Sequence, residues 1–302
     1  MIFILIGAAF VIFTITYFTP GDPADAYLTA TATSEEVEYW HEIHGLNDSY
    51  IVQLGKFLWN AIHLDFGRSW AYDVPVFQEL INRLPRTLIL GVFAMLLQVI
   101  IGVPLGIIAA THEGRWQDSM VMAIAMVLIA CPNFWVALML IVLFAVKLQI
   151  LPASGFDSWK HFILPIFCSA LGGIAINARQ TRSSMLEVIR ADFITTARAK
   201  GQSEGVIVRR HMFPNALMPV ITQVGNGLAG IVAGSAVIEA VFSIPGIGQY
   251  MLTGVNKRDF PIIRSTVLFL AVFTAVAMLL VDLAYAYVDP RIKAQYSKGK
   301  KV

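Results

Sequence analysis

The chain has 302 residues, 57% of them hydrophobic and only 14% charged, with a net charge of +2 and a mean hydropathy of +0.68. A soluble domain carries about 25% charged residues, so this chain lacks the polar groups needed to cover a water-soluble globule. Its apolar residues gather in long blocks, which indicates an integral membrane protein, and its two cysteines, Cys131 and Cys168, both lie in such blocks and read as small buried hydrophobes.

In chain order, the first block is residues 2–19, "IFILIGAAFVIFTITYFT". It lacks a basic leader and runs into "PGDP" in place of a small-residue cleavage site, so it is read as a retained first transmembrane helix, domain 1–19. Residues 20–85 form a polar loop with helical signals of its own. Thr33 followed by Glu36 is a capping-box pattern, and Gly45 closes the helix it starts. A second piece, 51–64, carries Leu54, Leu58 and Ile62 on one stripe. Five further apolar spans follow, at about 87–110, 120–146, 162–178, 217–242 and 263–288, each near the roughly 20 residues that cross a bilayer. Pro132 and Pro165 are expected to kink or start helices. The expected fold is therefore all-α with six transmembrane helices: a helical extracytoplasmic loop 20–85, a five-helix core 86–290 and a tail 291–302. The alternating strands of an outer-membrane barrel are absent.

Orientation follows the lysines and arginines. One set of loops holds Arg115, Arg179, Arg182, Arg190, Arg198, Lys200, Arg209, Arg210, Arg291, Lys293, Lys298, Lys300 and Lys301. The longer opposite set holds Lys56, Arg68, Arg83, Arg86, Lys147, Lys160, Lys257, Arg258 and Arg264. The first set is expected to be cytoplasmic, with both termini inside.

The densest basic stretch is 187–215, "EVIRADFITTARAKGQSEGVIVRRHMFPN". Ile189, Phe193 and Ala197 recur every four residues, which predicts an amphipathic helix over 187–200. Gly201 permits a left-handed turn, Ser203 caps a second helix ending before Pro214, and Asn215 caps the next span. A basic loop that only fixes topology and touches anionic lipid explains the charges. It does not require this apolar register, which suits a rigid knob seated in a groove on a partner.

"TTARAKGQSEGVIVRRHMFP" resembles the cytoplasmic signature of permease subunits of binding-protein-dependent ABC importers. That signature is Glu-Ala-Ala, three residues, Gly, then a spacer ending in Leu-Pro. Thr195, Thr196 and Ala197 stand in its first three positions, Gly201 is the glycine, and Phe213 and Pro214 stand for Leu-Pro. The glutamate is absent, a departure that fits the peptide-importer branch, whose form looks like "TARAKG". The resemblance extends through "TPGDPA", "DFGRSW", "LPRTLILG", "GVPLGIIAA", "LPASG", "GSAVIEAVFSIPGIGQ", "RDFPIIR" and "VDLAYAYVDPRIK" in order. It implies a type I importer permease in a bacterial inner membrane, moving di- or oligopeptides, with nickel or another small solute as the alternative cargo. It also implies a second, related permease subunit, two ATP-binding cassette ATPases and an extracytoplasmic binding protein. The chain has no Gly-x-x-x-x-Gly-Lys-Ser/Thr loop, so ATP and magnesium are expected on the partner subunits. This chain is expected to catalyse nothing, and to bind no cofactor, metal or nucleic acid, only membrane lipid and its partners. The residues implied in ATPase coupling are Arg190, Asp192, Phe193, Thr196, Ala197, Arg198, Ala199, Lys200, Gly201, Ser203, Arg209, Phe213 and Pro214.

Polar residues inside spans are functional candidates. Glu239 lies late in the fifth span, and "FSIPGIG" follows it with a Pro-Gly pair that marks a sharp turn back. Glu239, Phe242, Pro245 and Gly246 are read as an outer gate or binding-protein contact, although Glu239 close to the interface would simply be hydrated. Asn177, Gln223 and Asn226 line a pathway or bond between helices. His41 and His44 are spaced three apart, not the four of a zinc-protease helix, and are read as a solvated face. An intramembrane enzyme lacks a catalytic constellation here. An ion-gradient-driven secondary transporter would show inverted repeats, and none is evident.

Overall fold

The computed structural model describes residues 2–29 and 31–288. Its α-helices, in chain order, are α1 (Ile2–Tyr17), α2 (Ser34–Ile43), α3 (Tyr50–Ile62), α4 (Val76–Thr111), α5 (Trp116–Ala130), α6 (Asn133–Leu140), α7 (Lys160–Ile189), α8 (Asp192–Ala199), α9 (Glu204–Ile207), α10 (Phe213–Val241), α11 (Ile247–Asn256) and α12 (Phe260–Val288). A 3₁₀ turn at Pro23–Ala26 and π-helical segments at Ile141–Lys147 and Val208–Met212 complete the helical chain. Among the described residues the only β pairing is an isolated bridge between Arg68 and Pro75.

Local chemistry accounts for the boundaries. The capping box at α2 is reciprocal: the Thr33 backbone N–H donates to Glu36 Oε2 at 2.7 Å, and the Glu36 N–H donates to Thr33 Oγ1 at 3.3 Å. Gly45, just past α2, takes φ +66, the left-handed region that glycine enters freely. Pro132 forces extended backbone on Cys131, at φ −77 and ψ 127, and so breaks the expected third span into α5 and the α6 run, bent by 100°. By contrast, α4 begins at Val76 and passes straight through Pro85, where the sequence placed the end of the loop.

Three helical stretches are long and apolar enough to cross a bilayer: Val76–Thr111, Lys160–Ile189 and Phe260–Val281. The bent pair Trp116–Ala130 and Asn133–Lys147 makes a fourth if it counts as one span. The six expected spans are therefore not all reached among the described residues. At 16 residues α1 falls short of the roughly 20 required. The 29-residue α10 is long enough but includes side chains that are not described. The tail 291–302 lies outside the described residues.

The chain divides into two compact units. One comprises the chain up to Thr87 together with Pro245–Val276; the other comprises Leu88–Ile244 and the chain from Ala277 onward. In the first, Val76, Leu80, Ile247, Tyr250 and Ile262 form the core. Beside it, Trp40 stacks on Tyr27 and His44, and Trp70 meets Trp40, His44 and Phe260. His41 reaches Asp22 at 2.8 Å, so His41 and His44 are packed groups and not the solvated face expected. The carboxylate of Asp259 is fully buried and accepts from Ser69 Oγ at 2.7 Å, Ala71 N–H at 2.9 Å and Ile262 N–H at 3.1 Å.

In the second unit α7 is the central helix, packed by α5, α6 and α10. Helix α4 crosses it at glycines. A Cβ on Gly102 would stand 2.7 Å from the Ile174 carbonyl oxygen, and one on Gly106 would stand 2.5 Å from that of Ala178. Small residues four apart let the two backbones touch, the usual device for helix pairs in lipid.

Candidate coupling hairpin and polar cavity

The basic stretch folds as a helical hairpin, with a different phase from the one its spacing predicts. Helix α7 runs on to Ile189, Ala191 is extended at ψ 144, and α8 restarts at Asp192. This break rotates the register by one residue. Ile194 and Ala197 are buried, whereas Phe193, expected on the inner stripe, is 46% exposed. Gly201 takes φ +75, and a Cβ there would meet nothing within 4 Å. Its N–H closes α8 by donating to the Arg198 carbonyl at 2.9 Å, and Gln202 donates to that of Ala197 at 3.4 Å.

Ser203 stands at the N-cap of α9, but its side chain caps nothing; its carbonyl receives the Val206 and Ile207 N–H groups. The second helix does not end before Pro214. It widens into the π segment Val208–Met212 and continues into α10, with Pro214 in that helix's first turn. A π turn relocates the hydrogen bond that a proline would otherwise forfeit. Asn215 is likewise no cap: its side chain donates to the His211 carbonyl at 2.7 Å.

The interior of the hairpin is Ile194, Ala197, Ile207 and Met212, packed against Ala110 of α4, Met185 of α7 and Ala216 of α10, with Phe213 half-buried beside them. Outside stand Asp192, Phe193, Thr196, Arg198, Ala199, Lys200, Gly201, Ser203, Arg209 and Pro214. Arg198 reaches across the turn to Glu204 at 2.8 Å, and that hydrogen bond holds its guanidinium above the usual arginine range. Thr196 Oγ1 donates to the Asp192 carbonyl, and Arg209 Nε to that of Gly205.

Two ion pairs brace the base. Arg190 contacts Glu113 at 3.0 Å. Arg182 forks onto the buried Asp118, with Nε at 2.5 Å and Nη2 at 2.7 Å, and Gly114 N–H adds a third donor at 3.1 Å. Bidentate pairs of this kind fix angle as well as distance. Sequence reasoning missed these braces, because Asp118 and Arg182 lie 64 residues apart.

The second feature is a cavity of about 240 Å³ within the same unit. It brings together two of the expected pathway residues, Asn177 and Gln223, and adds Gln98, Asn133, Ser169 and Ser235, which were not foreseen. Among the described residues its wall holds amides, hydroxyls, glycines and aliphatic groups, and no charged side chain. Gly173 makes room for Gln98: a Cβ there would fall 2.0 Å from the Gln98 Cδ. Ser169 Oγ is buried without a partner among the described residues. The side chain of Asn226 lies outside those described.

The expected gate residues are elsewhere. Glu239 is fully buried in α10, and its carbonyl receives the Ile244 N–H at 2.8 Å. Phe242 is buried with Leu90, Leu164, Cys168 and Ile238. Pro245 and Gly246 lead into α11, with Gly246 as its N-cap. None of the four lines the cavity.

Residues 102–294 match the family described as "Binding-protein-dependent transport system inner membrane component". The chain is 41% identical to the dipeptide transport system permease protein DppB of Bacillus subtilis, over 93% of this chain and 90% of that protein. It is 38% identical to the DppB of Alkalihalophilus pseudofirmus, over 96% of each. It is 36% identical to the glutathione transport system permease protein GsiC of Escherichia coli K12, over 93% of this chain and 92% of that protein. Among solved structures, an inward-facing MetNI methionine ABC transporter chain superposes with a TM-score of 0.61 at 21% identity, covering 71% of this chain and 98% of its own. That likeness shows the shared helical fold.

Proposed function

We propose that this chain, which belongs to the family of binding-protein-dependent transport system inner membrane components, carries short peptides inward by alternating access driven by ATPase partners docked on its hairpin. As a family member it is a multi-pass bacterial inner-membrane transport subunit, not an enzyme, and it works with ATPase and substrate-binding partners. The finer reading is ours: a heterodimer with a related permease, two ATPases that hold the ATP and magnesium, and both termini in the cytoplasm.

One observation supports this most directly. The three helices whose ends build the hairpin core, α4, α7 and α10, are the helices that contribute Gln98, Ser169, Asn177 and Gln223 to the polar cavity. A displacement of the hairpin therefore reaches the cavity along α4, α7 and α10, the last of which carries Pro219 between Ala216 and Gln223. ATP binding shifts the transporter between its states only as far as the closed ATPase pair grips one state of the hairpin better than the other. The packed hairpin interior and the braces at Asp118 and Glu113 keep that grip from being lost as local bending. Exposed Phe193, on the same hairpin as exposed Arg198 and Lys200, offers the apolar anchor of a helix seated in a groove.

The cargo reading rests on the relatives, whose names specify dipeptide and glutathione transport. The lining among the described residues, uncharged and rich in amides, suits amide-bearing solutes better than a bare cation. The test is reconstitution of the whole transporter in proteoliposomes, with Phe193→Cys paired to cysteines along the ATPase groove after Cys131 and Cys168 are replaced. ATP-dependent peptide uptake and crosslinks that change with nucleotide state are expected. Uptake that survives ATP depletion but collapses with a proton uncoupler would sink the reading.

A further inference from the structure

We propose that α3 is not part of a water-exposed cap but lies in the lipid interface, its outer face sunk among acyl chains. The face itself is unusual for a loop helix. Ile51, Trp59 and Ile62 are 78%, 66% and 77% exposed. At 100° per residue they share one arc with Gly55, a stripe without a charged side chain, whose Trp59 ring packs on His63 at the end of the helix. The polar positions Gln53, Lys56 and Asn60 point away from that arc. Gln53 is buried, donating to the Leu46 and Asp48 carbonyls, and Lys56 is tied to Asp48 at 2.6 Å. Such a segregated helix with tryptophan on its apolar side is the form that settles at a membrane surface.

The packing of the first unit sets its level. Helix α12 begins at Phe260 and is one of the long apolar spans. Arg264 lies four residues in, about 6 Å along the helix. It pins α1 there: its Nε donates to Thr16 Oγ1 at 2.6 Å, and its guanidinium lies 4.3 Å from the Phe13 ring centre. The same Phe13 ring stacks on Phe57 of α3 at 5.7 Å, and Tyr17 meets Tyr50 at 5.1 Å. Thus α3 is one aromatic layer from the first turns of a membrane span, at the depth where amphipathic aromatics collect. The α1 helix that it packs on carries exposed apolar side chains of its own, Phe10, Val11 and Ile15. Lipid is the occupant that covers the exposed apolar side chains of both helices at that depth.

The test uses the assembled transporter in lipid nanodiscs, with Cys131 and Cys168 replaced by alanine and a nitroxide placed singly at 51, 59, 62 or 56. Collision with oxygen, which is lipid-soluble, is compared with collision with a water-soluble nickel chelate. The expected result is oxygen dominance at 51, 59 and 62 and nickel dominance at 56. Nickel dominance at 59 and 62 would mean a solvated cap and overturn the proposal. Exclusion of both agents there would mean a protein-covered face and overturn it equally. Should a label disturb assembly, Trp59→Phe supplies a second measurement: it must remove a fraction of the fluorescence that brominated lipids quench, and unchanged quenching would refute lipid contact.

Discussion

The turn at Gly201 can be tested by putting a side chain where the backbone is what objects. Its φ of +75 lies in the left-handed region, yet a Cβ would meet no atom within 4 Å. The Cβ itself meets no obstacle, so the leading cost of Gly201→Val is conformational, about 1–2 kcal/mol for an L-residue and toward the upper end for a β-branched one. At about 2 kcal/mol the native turn loses roughly thirtyfold in population relative to its relaxed alternatives. Relaxing φ breaks the N–H bonds of Gly201 and Gln202 to Arg198 and Ala197, so α8 loses its closure and the hairpin its stiffness. In proteoliposomes the variant is expected to co-purify with its partners and hydrolyse ATP, but to import far less peptide per ATP. Gly201→Asn separates two causes, because asparagine tolerates positive φ while adding comparable bulk. It should retain most of the coupling. Wild-type coupling in the valine variant would refute the lever, and equal loss in both would move the fault from backbone to docking surface.

Arg182→Met strands the Asp118 carboxylate with only the Gly114 N–H. Because Arg182 is partly exposed, the loss should be about 2–3 kcal/mol, read as a lower thermal midpoint, and Asp118→Asn in addition should restore part of it. Gly106→Ala drives a methyl to 2.5 Å from both the Ala178 carbonyl and the Thr181 Cβ. It should cost roughly 1–3 kcal/mol, whereas Gly7→Ala, with nothing within 4 Å, should be neutral or better in the same unfolding assay. Burial raises the phenols of Tyr27 and Tyr250 well above the ordinary value of 10.0. The stability tied to their neutral forms is then complete below pH 10, where the unfolded chain also holds these protons, and falls as pH rises past that point. The alkaline decline in thermal midpoint should flatten in the double variant Tyr27→Phe, Tyr250→Phe; an unchanged slope would contradict the assignment.

What could be read in advance was chemistry confined to a few neighbouring residues. The Thr33–Glu36 box, the left-handed glycines at 45 and 201 and the break at Pro132 each depend on one turn of chain, and each stands as its residues imply. Phase was not legible where the break carries no glycine or proline. Arg190 and Ala191 interrupt the helix, and the interruption exchanges Phe193 for Ile194 in the interior. Pro214 misled for the opposite reason, since a π segment accommodates what its ring forbids to an α-helix. In the cavity, Asn177 and Gln223 stood out as amides near helix ends. Gln98 and Ser169 did not, because their meeting depends on α4 lying against α7 at Gly102 and Gly106, a contact across some seventy residues.

Asp259 has a bearing on biosynthesis. Ser69 Oγ and the Ala71 N–H wait for an acceptor that the ribosome delivers 188 to 190 residues later. Until then the nascent N-terminal third has no finished interior of its own, because Ile247 and Tyr250 come only shortly before Asp259 and Ile262 follows it. Chains stopped short of Asp259 should consequently expose Trp70 and its neighbours to proteases, and their maturation should be timed by the arrival of the last long helix.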